Sequence, residues 1–113
     1  MVTKKGWIPD RGDLIWLDFS PQTGHEQKGR RPALVISSKV YNRIGLLLAC
    51  PITSKIKKYP FEVSVETPAL KGCVLADHLK NQDWKARQAT YIAKAPKNVI
   101  DSALNIIQAL LTQ

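Results

Sequence analysis

Only the last stretch of this chain repeats its apolar residues at helical spacing. Between Pro96 and Leu111, Val99, Ile100, Ala103, Leu104, Ile106, Ile107, Leu110 and Leu111 share one face. Lys97, Asn98, Asp101, Ser102, Asn105 and Gln108 fill the other. Pro96 suits a first helical turn, because its fixed φ matches the helix and its missing N–H has no intrahelical role there. Everything before it comes in short runs broken by Gly, Pro and polar residues. An amphipathic helix needs an apolar surface to lie on, and the short runs supply a sheet. The expected fold is mainly β: a small, strongly bent antiparallel barrel or sandwich carrying one C-terminal amphipathic helix.

The runs can be placed. Asp13–Phe19 (D-L-I-W-L-D-F) is rich in aromatic and branched residues and fits a strand. Arg31–Ser37 is a second strand, with Pro32 at its start. Ser38–Arg43 forms a short helical turn. Leu46–Ile52 is apolar on both faces and so central. Phe61–Val65 and Gly72–Ala76 are further strands, and Gln88–Lys94 is a short last one. Ser20–Arg30 is a loop long enough to be functional, Thr53–Tyr59 is a basic loop, and Asp77–Arg87 is polar and irregular. Residues 1–11 form a loose arm whose end packs. At 113 residues the chain reads as one domain, 1–113.

The longest apolar run, Ile44–Ile52, is interrupted by Gly45 and Pro51, so no segment spans a membrane. The N-terminus has positive charge but no apolar stretch after it, and a cytoplasmic protein is expected. Cys50 and Cys73 lack zinc-site spacing with each other or with His25 and His78. They read as small buried strand residues, with no metal, cofactor or disulfide expected.

Charge narrows the function. The net charge is +8. From Lys28 to Lys58 there are eight basic residues and no acidic one, while the rest of the chain holds nine of each sign. A polyanionic partner is implied, bound at that segment. Its beginning overlaps Gly24-His25-Glu26-Gln27-Lys28-Gly29-Arg30-Arg31-Pro32-Ala33, which gathers an imidazole, a carboxylate and two guanidinium groups. A guanidinium recognises phosphate through parallel hydrogen bonds. A His or Glu beside it can move a proton. A phosphate-binding loop and a solvated loop with a Glu26–Arg ion pair both fit these residues.

That segment, preceded by G-D-L-I-W-L-D-F-S-P, resembles the MazF/PemK family of toxin endoribonucleases. The resemblance continues through Pro51-Ile-Thr-Ser54, Tyr59-Pro-Phe-Glu-Val63, Val74-Leu-Ala-Asp-His78, Asp83-Trp-Lys-Ala-Arg87 and the terminal helix. No one motif is specific, but their order and spacing together are. The resemblance implies an SH3-like antiparallel barrel shared with the gyrase poison CcdB. It implies a homodimer, neutralised by a cognate acidic MazE-like antitoxin. It implies sequence-specific, metal-independent cleavage of single-stranded RNA, inhibiting translation and growth. In such cleavage the 2′-OH attacks the adjacent phosphorus and leaves 2′,3′-cyclic phosphate and 5′-OH ends.

Residue roles follow from the same match. Arg31 matches the family's RP arginine and Thr53 its catalytic threonine. Glu26 is the preferred base or base-orienting residue, and His25 matches a histidine present in part of the family. Leu75 stands where the PemK branch carries an arginine, two residues before Asp77. This favours the MazF-like Arg31/Thr53 arrangement over a PemK-like Arg/Asp/His set. Around these, Gln27, Lys28, Arg30, Ser54, Lys55, Lys57, Lys58, Asp77 and Arg87 are expected to bind RNA. Phe19, Tyr59, His78 and Trp84 are expected to stack on bases, and Trp7 and Trp16 to pack internally. Two other readings remain open from sequence: a CcdB-like non-enzymatic toxin acting on gyrase, and an RNA-binding module without catalysis.

Overall fold

The computed structural model of the chain describes residues 6–19 and 29–113. His25, Glu26, Gln27 and Lys28, and nearly all of the expected Ser20–Arg30 loop, lie outside the described residues. In chain order the elements are β1 (Asp13–Asp18), β2 (Arg30–Val35), α1 (Lys39–Asn42), β3 (Leu46–Thr53), β4 (Glu62–Thr67), β5 (Leu70–Leu75), β6 (Lys80–Asp83), β7 (Thr90–Lys94) and α2 (Lys97–Thr112). The strands make one antiparallel sheet in the order β4-β5-β3-β2-β1-β7, with β6 also on β3.

β3 is the hub, as its two-sided apolar run foretold. One edge pairs with β2 (Ala33↔Pro51 to Val35↔Ala49). The other edge is shared: Leu46–Ala49 pair with β6, and Ile52 and Thr53 pair with β5. Pro51 stands between those two pairings, where a strand can do without an N–H. Splitting one edge between two partners curls the sheet, with β5 taking the last residues of β3 up to Thr53.

The first three strands are buried on both faces. Leu14, Leu34, Ile36, Cys50 and Ile52 point to one core, where α2 adds Val99, Ala103 and Ile107. Alternate residues Ile15, Leu17, Phe19, Ala33, Val35, Leu47 and Ala49 point to a second core, closed by Trp84 and flanked by Trp7. Each fully buried Leu or Ile contributes roughly 1.5–3 kcal/mol. Gly12 (φ +92°) lets the helix sit close, since a Cβ there would meet Ile100 Cδ1 at 2.4 Å.

Several expectations are corrected. Asp77–Arg87 contains a strand, β6, whose sequence K-N-Q-D has little β-propensity. It is held by backbone pairing to β3, and Gln82 is its buried residue. Phe19 is fully buried and Trp84 is 5% exposed, so neither offers a face to an RNA base. Trp84 instead donates from Nε1 to Asn42 O at 2.8 Å and packs edge-on against Trp7. Trp16, expected inside, is 38% exposed: it shares the Leu14 face of β1 but lies outside the first core. The arm packs from Trp7 onward: Pro9 is fully buried, and Arg11 Nε donates to Ile36 O at 2.7 Å. On α2 the apolar stripe outruns its support, and Leu111 at its end is 78% exposed. Cys50 and Cys73 are buried on β3 and β5 as free thiols. Among the described residues, no helix is long and apolar enough to cross a membrane.

Candidate active site

A cavity of about 450 Å³ opens at the end of β3. Arg31, Thr53, Ser54, Lys55, Lys57, Tyr59, Glu62, Leu75 and His78 line it. Arg31 comes from the start of β2, Thr53 from the end of β3, Lys55 and Lys57 from the following loop, Glu62 from β4, and Leu75 and His78 from the end of β5 and its turn. Arg31 and Thr53 each stand two residues beyond the last β2–β3 pair, Ala33↔Pro51. The pleat then separates neighbours on β2. Arg31 faces the cavity, while Arg30 crosses to the start of β7, donating to Gln88 O at 2.8 Å and Thr90 Oγ1 at 3.0 Å.

The loop after Thr53 is tied at both ends. Thr53 Oγ1 accepts the Lys55 N–H at 3.1 Å, leaving the hydroxyl proton for another acceptor. Lys57 N–H donates to Glu62 Oε2 at 3.2 Å, and Glu62 N–H donates to Tyr59 O at 3.1 Å. Lys58, in the left-handed region at φ +56°, turns the chain between them. Among the described residues lining the cavity, three cations, Arg31, Lys55 and Lys57, stand with one carboxylate, Glu62, and the cavity favours an anion.

Gly72 makes the corner possible. A Cβ on it would lie 2.6 Å from Thr53 O and 3.0 Å from Ile52 Cγ2. Real Cβ atoms do not come so close to backbone, so β5 can pair with Thr53 only through a glycine.

The far wall is a tight turn. His78 N–H donates to Leu75 O at 3.0 Å, and Ala76 N–H donates to Phe61 O at 3.0 Å. Tyr59 hydroxyl donates to Asp77 Oδ2. That hydrogen bond, more than burial or charge, raises the Tyr59 pKa above its ordinary value. Burial first, then the Asp77 charge, pushes the Cys50 thiol up to about 12. Burial, then the Glu62 charge, raises that of Cys73.

The structure therefore gathers Arg31, Thr53, Ser54, Lys55, Lys57 and His78, with Asp77 joined through Tyr59. It does not bring Arg30, Lys58 or Arg87 into the cavity lining; Arg87 Nη1 donates to Asp18 O at 3.3 Å. Glu62 and Gly72 were not foreseen. Glu62 had a signal in Tyr59-Pro-Phe-Glu-Val63, but a carboxylate in a basic site is unexpected. Gly72 had none, because its role depends on a distant strand.

The sequence model of one family, described as "PemK-like, MazF-like toxin of type II toxin-antitoxin system", matches residues 10–111. The chain belongs to that family. Similar members include the endoribonuclease toxin MazF of Escherichia coli K12, 42% identical over 105 residues covering 89% of this chain and 95% of that protein. Endoribonuclease EndoA of Bacillus subtilis is 32% identical, covering 92% of this chain and 97% of its own. The crystal structure of MazF from Deinococcus radiodurans superposes with a TM-score of 0.89 at 48% identity, covering 95% of this chain and 99% of that one. A MazE–MazF crystal structure from the same organism gives 0.84 at 48% identity, covering 93% and 96%. The curled antiparallel sheet and C-terminal helix are thus those of a MazF-like toxin.

Proposed function

We propose that this MazF-like chain is the endoribonuclease toxin of a toxin–antitoxin pair and cleaves single-stranded RNA at the Arg31/Thr53 cavity. One observation carries the reading: Arg31 and Thr53, from different strands, face the same anion-favouring cavity. In the proposed reaction the 2′-OH attacks the adjacent phosphorus. The 2′-O–P bond forms and the P–O5′ bond breaks, leaving a 2′,3′-cyclic phosphate and a 5′-OH. Arg31 holds the phosphoryl oxygens and stabilises their added charge, the role of preorganised donors in most such reactions. A guanidinium keeps its proton at neutral pH, so Arg31 serves as a charge partner and not as the base. Thr53 donates its hydroxyl proton to a phosphoryl oxygen. Glu26 is the preferred base, with His25 as the alternative. Lys55 and Lys57 hold flanking phosphates.

The relatives include a MazF bound to MazE. By analogy the chain works as a homodimer in the cytoplasm, with an acidic MazE-like antitoxin segment as its inhibitor. Such a segment would be drawn electrostatically to the basic cavity and would block RNA sterically.

The test is incubation of the purified protein with a long single-stranded RNA in EDTA, followed by mapping of the ends. Cleavage at a repeated short motif, lost in Arg31→Ala and Thr53→Ala, is expected. Intact RNA that is still bound would replace this reading with a non-catalytic RNA-binding module. Cleavage only with added metal would overturn the mechanism.

A further inference from the structure

The reaction needs a proton for the departing 5′-oxygen, and the Arg31/Thr53 side of the cavity is poorly equipped to give one. A guanidinium holds its protons at neutral pH. Lysine and tyrosine side chains as classes release theirs well above neutrality. Glu62 offers the cavity a carboxylate oxygen already accepting the Lys57 N–H. Among the described residues lining the cavity, His78 alone is of the type that exchanges a proton around neutral pH.

Its surroundings suit that use. Asp77 Oδ2 is occupied by the Tyr59 hydroxyl, but Asp77 Oδ1 is buried and has no hydrogen-bond partner among the described residues. A buried acceptor left unsatisfied is costly. Its neighbouring donor is His78 Nε2, 3.7 Å away. That spacing is just beyond a hydrogen bond, and catalytic contacts of this kind often tighten when substrate enters. The Leu75–His78 turn holds both residues in place. With Nε2 nearest Asp77, Nδ1 is the ring nitrogen not engaged there, and the His78 side chain, which lines the cavity, is 43% exposed.

We infer that His78, oriented by Asp77, is the general acid that protonates the leaving 5′-oxygen. The inference rests on the RNA-cleaving reading above. As the P–O5′ bond breaks, its electron pair goes to the 5′-oxygen, which takes the proton from His78 Nδ1. Neutral His78 then regains a proton from water. Asp77 is a positioning residue, and Tyr59 fixes the rotamer of Asp77.

A sulfur substitution tests this. In RNA whose scissile 5′-oxygen is replaced by sulfur, the leaving thiolate needs no proton. His78→Gln and His78→Ala should cleave ordinary RNA about 10²–10⁴-fold more slowly at saturation, with KM little changed. Both should cleave the 5′-thio RNA as fast as the unsubstituted protein. Asp77→Asn should show a smaller loss in kcat that sulfur also repairs. Full activity of His78→Gln on ordinary RNA would overturn the inference. An equal defect on both RNAs would overturn it too, leaving His78 a binding role. Failure of the unsubstituted protein to cut either RNA would instead remove the endoribonuclease reading, and this inference with it.

Discussion

Arg31 and Thr53 each lie two residues beyond the Ala33↔Pro51 pair, on the neighbouring strands β2 and β3. Both line the basic cavity. The adjacency of β2 and β3 in the sheet brings the two to one cavity.

If that pair stabilises charge at phosphorus, removing either should lower kcat more than it weakens binding. Arg31→Ala should cost about 10²–10³-fold in kcat, as for loss of one preorganised donor. Arg31→Lys should rescue little, because an ammonium cannot make two parallel bonds. Single-turnover cleavage of a short RNA, read beside its Kd, separates the two effects.

Gly72→Ala should damage both stability and activity. Its Cβ would sit 2.6 Å from Thr53 O, and backbone shifts of this kind cost typically about 1–3 kcal/mol. Urea unfolding should show the loss. Thr53→Val keeps the volume and should lose cleavage while unfolding near the original urea midpoint. If Gly72→Ala unfolds like the parent, the close approach of β5 to β3 is wrong.

Lys55 and Lys57 should make RNA binding salt-dependent. Removing one phosphate-binding lysine should reduce the slope of log K against log salt by about 0.7 for a single strand. Binding titrations of Lys55→Ala and Lys57→Ala over a salt series read this directly. A flat response in the unsubstituted protein would count against the basic cavity as the RNA site.

Trp84 should matter for folding and not for base stacking. Trp84→Ala opens the second core and removes the hydrogen bond to Asn42 O, at an expected cost of about 3–5 kcal/mol. Trp84→Phe keeps most of the apolar volume, and its folded fraction should bind RNA with unchanged Kd.

The Cys50 thiol, pushed up to about 12 mainly by burial, should resist alkylation in the native protein at mildly alkaline pH. A group whose folded pKa lies above its unfolded value holds its proton longer when folded. Its stabilising contribution is complete below about pH 9 and is lost as pH rises toward 12. Cys50→Ala should flatten the alkaline loss of stability in that window. An unchanged profile would show that other groups govern it.

Much of this protein could be read locally. Helix α2 announces itself because a 3.6-residue period needs no information from elsewhere in the chain. β3 shows its central place by being apolar on both faces. Arg31, Thr53 and the lysines after it could be found because their motifs are contiguous. β6 could not, because K-N-Q-D is a strand only through backbone pairing with β3. Phe19 and Trp84 were expected to stack on bases, and the second core claims them instead. Arg30 and Arg31 were both expected at the RNA site, but a strand's side chains alternate, and only the sheet says which of the two faces the cavity. The same holds for Gly72 beneath Thr53, and for Tyr59 locking Asp77 beside His78. Residue type and spacing determined which chemistry this chain could carry. Long-range register and the bend at β3 decided which side chains meet, since those contacts join strands far apart along the chain.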